Sequence, residues 1–210
     1  MKTKRFLFGL FVLLIAGNVF AQDARVLELY GGMLNPKDAP NSALFGFSYG
    51  ISVDERVDLN VGAGLYRKKY EEITYHDPAY YEQISDIEAT KDLEYVTTLL
   101  PISIGTKVRF PLQRGLNWAM GGGLSYQFLW NKETDYNFEE PKEEKRNYKG
   151  MGWQMTAGIE YLVGSRSSIL LEAFYNNSKV TKDINESGSI WREVNLTGLG
   201  FRAGLRLEFY

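Results

Sequence analysis

The chain has no cysteine. That excludes a disulfide framework, thiolate chemistry and a lipid anchor on a cysteine after the leader. It has one histidine, His76. A basic excess is also missing. Lys+Arg total 24 against 26 Asp+Glu, a formal net charge of −2. Nucleic-acid binders carry a basic footprint, so that class is set aside. Beyond residue 21 no run of about 18 apolar residues occurs, so no transmembrane helix is expected. Mean hydropathy is −0.28, as in many soluble proteins. Hydropathy is a poor detector of a β-barrel, however, because only alternate residues meet lipid.

What is present begins with a leader. Lys2, Lys4 and Arg5 precede the apolar run Phe6–Ala16, and Val19-Phe20-Ala21 follows. A basic start, a short apolar centre and small residues at the cleavage positions read as a secretory signal peptide. Cleavage is expected after Ala21, which leaves 22–210 as one domain with enough chain for a sizeable core.

The remainder alternates with a period of two in eight segments: Arg25–Met33, Ser42–Val53, Val57–Tyr66, Tyr95–Phe110, Leu116–Trp130, Met151–Val163, Ser168–Val180 and Glu193–Tyr210. In the second, Ala43, Phe45, Phe47, Tyr49, Ile51 and Val53 oppose Ser42, Leu44, Gly46, Ser48, Gly50 and Ser52. In the fifth, Trp118, Met120, Leu124, Tyr126, Phe128 and Trp130 oppose Asn117, Ala119, Gly121, Gly123, Ser125 and Gln127. Most segments reach the roughly 9–11 residues of a tilted membrane strand. Asp54-Glu55-Arg56, 111–115 and 164–167 make short connections, and 34–41, 67–94, 131–150 and 181–192 make long ones. Long and short alternate, so all short turns share one end of an up-and-down barrel and both termini lie with them.

A soluble barrel would be apolar inside and polar outside. Here the less apolar face is rich in Gly, Ser, Ala and Asn, which suits the narrow interior of an eight-stranded barrel. The apolar face carries aromatics near strand ends: Phe45, Trp118, Trp130, Trp153, Tyr161 and Phe209. Such residues form the interfacial girdles of membrane barrels. The expected fold is all-β, an eight-stranded antiparallel up-and-down transmembrane β-barrel. These features resemble the small outer-membrane β-barrel proteins of the OmpA/OmpX type. The stretch Leu99-Leu100-Pro101-Ile102-Ser103-Ile104-Gly105-Thr106-Lys107 also resembles a strand of the porin-like barrel domains common in Bacteroidota. The resemblance implies residence in the bacterial outer membrane, with loops extracellular and termini periplasmic. The implied partners are outer-membrane lipid and the barrel insertion machinery, which would read the alternating last strand ending at Phe209-Tyr210. Tyr210 falls on the parity opposite to Phe209. A monomer is expected.

Parity turns Glu28, Asp58, Lys107, Arg109, Glu160, Glu172, Arg202, Arg206 and Glu208 inward. Ionised groups in so narrow a lumen need partners or water, so a salt-bridged plug is expected, with a narrow porin-like channel as the alternative. Pro101 lacks a ladder donor, which predicts a bulge or local break in the fourth strand. His76 and Ser85 share one loop with Asp77, so a lipid-modifying enzyme can be written down with His76 as base. A solvated loop is the simpler account. The acidic and tyrosine-bearing loop 67–94 and the charged loop 131–150 are the expected contact surfaces for a ligand. No motif calls for a cofactor or a metal. The leading expectation is a non-enzymatic surface protein with a structural or adhesion-like role.

Overall fold

The computed structural model describes residues 24–75, 89–136, 141–182 and 193–209. The expected signal peptide, His76, Ser85 and Tyr210 lie outside these residues. Nine strands form among the described residues: β1 (Arg25–Pro36), β2 (Ser42–Asp54), β3 (Val57–Tyr75), β4 (Ala89–Gln113), β5 (Leu116–Asp135), β6 (Lys142–Leu162), β7 (Ser167–Lys182), β8 (Glu193–Asn195) and β9 (Gly198–Phe209). Each of β1 to β7 pairs antiparallel with the next, β7 pairs also with β9, and β9 returns to β1. The result is a closed ring of eight strands, as the alternation predicts. Closure joins opposite ends of the sequence: Arg25 faces Phe209 and Pro36 faces Gly198.

The apolar parity faces outward. Leu29, Phe45, Val61, Ile104, Leu124, Met155, Leu171 and Phe201 are all exposed around the ring. Every ring strand contributes to this belt, which matches a hydrocarbon environment rather than water. The aromatics expected at strand ends are exposed as well, from 39% at Trp118 to 65% at Phe45. On the long-hairpin side Tyr126, Phe128 and Trp130 climb β5 with ring centroids 4.9 and 6.0 Å apart.

Several boundaries differ from those read in the sequence. Much of 67–94 and 131–150 is strand, because β3, β4, β5 and β6 run on as paired hairpins well past the belt. Polar residues obscured this, since two strands standing in water lose the apolar alternation that marks a buried face. The last segment is split. Its ladder with β7 keeps one register through β8 and β9, interrupted at Leu196-Thr197. At Pro101 there is a break without a bulge. The β3–β4 register is unchanged on either side, Ala63 opposite Ile102 and Tyr66 opposite Leu99, while the pairs between them lapse. The ladder to β5 continues, with Pro101 opposite Gln127. Among the short turns, Gly115 takes a left-handed φ of 78°, which L side chains rarely adopt.

Leu124 is 58% exposed on the belt, whereas its neighbour Ser125 is buried. Leu124→Arg is expected to weaken folding into lipid vesicles by about 2–4 kcal/mol if it sits near mid-belt. Urea titration of the refolded protein measures this, and an unchanged midpoint would reverse the facing.

Candidate functional site

The inward parity builds the interior in tiers. At the short-turn end Asp58 is a hub. It accepts from Ser52 Oγ at 2.6 Å, pairs with Arg109, and lies 3.2 Å from Arg206 Nη2. Arg109 also donates to the Glu55 carbonyl at 2.9 Å, which ties the hub to the β2–β3 turn. Arg206 reaches Glu160 at 3.4 Å and pairs with Glu208.

The next tier centres on Lys107. Its Nζ lies 2.7 Å from Glu28 and 2.8 Å from Glu172, and Glu172 takes Arg202 Nε at 2.7 Å. Arg202 stacks over the Tyr30 ring at 4.4 Å and faces Phe174 at 5.7 Å. The Tyr30 ring fits because Gly46 opposes it: a Cβ there would come within 2.6 Å of the ring. Lys107 is 3% exposed and Glu160 1%, so these charges are held by one another rather than by bulk water.

Above the charges a neutral polar layer forms. Gln127 Nε2 donates to Asn176 Oδ1 at 2.8 Å, and Asn176 Nδ2 donates to the Leu196 carbonyl at 2.8 Å and to Ser178 Oγ at 3.1 Å. An apolar cluster then closes the long-hairpin mouth: Leu34, Leu44, Tyr66, Leu99, Leu129, Tyr148, Phe174, Val180 and Leu196. Tyr66 crosses it and donates its hydroxyl to the Pro40 carbonyl, pinning the 37–41 connection over the mouth. Small cavities of about 30 and 20 Å³ lie in the lumen beside Lys107 and beside Gln127. Each has room for a water or two and for nothing the size of a nutrient.

Outside the mouth the four strands β3 to β6 continue. At about 3.3 Å per residue, 25-residue β4 spans about 80 Å, far more than a belt about 25 Å tall requires even when tilted. Acid–base pairs lace this sheet. Lys69 lies 2.7 Å from Glu71 and 3.2 Å from Glu94, and its hydrogen bond to Glu71, with that to Glu94, raises its pKa. Arg146 holds Glu133 at 2.9 Å and Glu144 at 2.7 Å, and its pKa is raised chiefly by the hydrogen bond to Glu144. The β2–β3 ladder ends at Leu44 opposite Tyr66. Past that pair the backbone ladder of β3 is with β4 alone among the described residues, and β2 adds one side-chain hydrogen bond, from Ser42 Oγ to the Arg67 carbonyl.

No protein-family model matches the chain, and no curated protein matches it in sequence. Solved structures do match. A major outer membrane protein from Thermus thermophilus superposes with a TM-score of 0.54 at 10% identity, over 88% of this chain and 99% of that one. Neisserial surface protein A gives 0.53 at 14% identity, over 89% and 97%. This chain has the fold of the small outer-membrane β-barrels. Ail, the attachment invasion locus protein of Yersinia pestis, reaches 0.50 at 9% identity, over 89% and 98%. At such identities the barrel shares an architecture with these proteins and nothing finer.

Within the barrel all nine inward-parity charges stand in one interior, joined in two chains. Lys107, Glu28, Glu172 and Arg202 form one, and Asp58, Arg109, Arg206, Glu160 and Glu208 the other. Arg206 Nε comes within 4.0 Å of Glu28, so the chains touch. Sequence reading missed the apolar mouth. Its signal was present: Leu34, Leu44, Tyr66, Leu99, Leu129 and Tyr148 share the inward parity of the charges, near the level where the hairpins leave the belt.

Lys107→Met leaves Glu28 only the distant Arg206 Nε at 4.0 Å and removes one of two cations from Glu172. A loss of about 3–5 kcal/mol in unfolding free energy is expected, the usual consequence of an unpaired buried charge. Lys107→Arg should recover part of it. Urea titration in lipid vesicles compares the three proteins, and equal stability of Lys107→Met would mean that the network is dispensable.

Proposed function

We propose that the chain is an outer-membrane surface protein without a catalytic role, which makes contact through the edge of its projecting sheet. In this reading the short turns face the periplasm and the long hairpins face outward, the usual layout of such barrels. The observation that carries it is the flank of β3 beyond Arg67, which among the described residues pairs with no strand on that side. Ser42 Oγ donates to the Arg67 carbonyl at 2.6 Å, so the backbone of Arg67 points away from β4, and by alternation so does that of Lys69. An edge with outward-facing N–H and C=O groups can take an extended polypeptide as a further strand. Tyr70, 54% exposed on the same strand, supplies an amphipathic side chain of the kind favoured at interfaces. Ail is by name an attachment protein, so this fold is compatible with such a role. The filled lumen and its apolar mouth argue against conduction as the main task.

The test uses two substitutions at one position. Lys69→Pro removes an edge-facing N–H and leaves the β4 ladder in place. Lys69→Ala removes the charge and keeps the N–H. Cells carrying either variant should show wild-type levels of heat-modifiable barrel. Attachment to polypeptide-coated surfaces should fall to the level of the deletion strain for Lys69→Pro and persist for Lys69→Ala. Full attachment by Lys69→Pro would overturn edge pairing. Loss in both would move the contact to the charged side chain.

A further inference from the structure

Eight of the described basic residues sit on acids in two places. Lys107, Arg109, Arg202 and Arg206 are paired with acids inside the lumen. Lys69, Lys132, Arg146 and Lys179 each sit on a carboxylate in or beside the projecting strands. The short-turn rim carries four more arginines. Arg25 opens β1, Arg56 lies in the β2–β3 turn, Arg114 in the β4–β5 turn and Arg166 in the β6–β7 turn. All four are exposed. Arg25, Arg56 and Arg114 have no ion pair among the described residues.

Their placement follows the ring, one arginine at each turn and one where β9 meets β1. Each stands on a rim locked by backbone bonds to the neighbouring strand. Ser52 N donates to the Ala24 carbonyl at 2.8 Å, Arg109 N to the Arg56 carbonyl at 2.8 Å, Leu162 N to that of Gly115 at 2.8 Å and Glu208 N to that of Arg166 at 2.9 Å. Each also borders the foot of the apolar belt. Arg25 pairs with Phe209, and the turns are flanked by Val53, Leu112 and Val163, exposed by 54 to 61%. An apolar surface for an acyl chain therefore meets an arginine on a fixed backbone at four points around the ring. Guanidinium is well matched to phosphate oxygens, and its stem can lie along apolar surface while the head stays at the interface.

We propose that this rim binds the phosphate groups of anionic phospholipids in the leaflet it faces, through Arg25, Arg114 and Arg166. Arg56 contributes less, because Asp54 and Glu55 flank it in the same turn. The lipid tails then lie on the belt directly above, continuing the membrane contact already made there. The inference rests on the transmembrane fold and is independent of the surface contact proposed above.

The purified barrel is refolded into vesicles of phosphatidylcholine alone, phosphatidylcholine with phosphatidylglycerol, and phosphatidylcholine with inorganic phosphate in the buffer. Urea midpoints are read in each, and native mass spectrometry counts retained phosphatidylglycerol. The wild type should gain in midpoint with phosphatidylglycerol, keep lipid adducts, and lose the gain as salt rises. Arg25→Gln/Arg114→Gln/Arg166→Gln should match wild type in phosphatidylcholine and lose both gain and adducts, with the triple lysine variant intermediate. Undiminished gain and adducts in the triple Gln variant overturn the proposal, as does a wild type indifferent to phosphatidylglycerol. A gain reproduced by inorganic phosphate alone also overturns it, since the site would then recognise a free anion. Should the triple variant fail to fold, Arg114→Gln carries the test: a reduced gain is expected and a full one is fatal. Attachment through Lys69 should be untouched in all these variants, so the two readings fail separately.

Discussion

In hydrocarbon a backbone N–H or C=O without a partner has no water to fall back on, so a membrane sheet must close on itself. Here closure is the pairing of β1 with β9, Arg25 with Phe209 through Pro36 with Gly198. Eight strands in a closed ring fix the parity of every residue. The bore is then narrow enough for side chains to fill. Charges placed inside must meet one another, and charges outside must sit above or below the belt. Two local departures are tolerated because the ring absorbs them. Pro101 keeps its ladder with β5 while its pairing with β3 lapses, and the last ladder is interrupted at Leu196-Thr197. There Leu196 N still donates to the Ser178 carbonyl at 2.9 Å.

The interior is graded rather than uniform. Ion pairs fill the short-turn half, amides and hydroxyls follow, and aliphatic and aromatic groups close the far mouth. Each buried carboxylate offsets the desolvation of a buried cation, so the charged half is stable only as a set. The apolar mouth limits the entry of water that would otherwise screen those pairs. Tyr30 and Phe174 belong to both regimes. They flank Arg202 on the charged side, and Phe174 also packs in the apolar cluster.

The architecture was legible because it follows from alternation, a local property of the sequence. Glu28, Lys107 and Glu172 could be assigned a face from parity alone. Which acid meets which base could not, since that depends on the relative stagger of strands and on long flexible side chains. Lys107 stands opposite Asp58 in the ladder, yet its ammonium reaches Glu28 and Glu172. The strand ends beyond the belt were hidden for another reason. Arg67 to Tyr70 and Lys142 to Asn147 are held in strands by partner backbone and by surface ion pairs, neither of which leaves an apolar period.

The unequal strand lengths have a mechanical side. A barrel gripped by an apolar belt spins easily about the membrane normal and tilts only against the cost of baring that belt. A four-stranded sheet standing on one arc of the rim therefore moves as a vane on a vertical axle. Its edge sweeps every compass direction while its height above the bilayer stays fixed. A flexible loop would trade reach for disorder. The vane keeps its reach and searches a single angular coordinate, so its edge stays at one height above the bilayer.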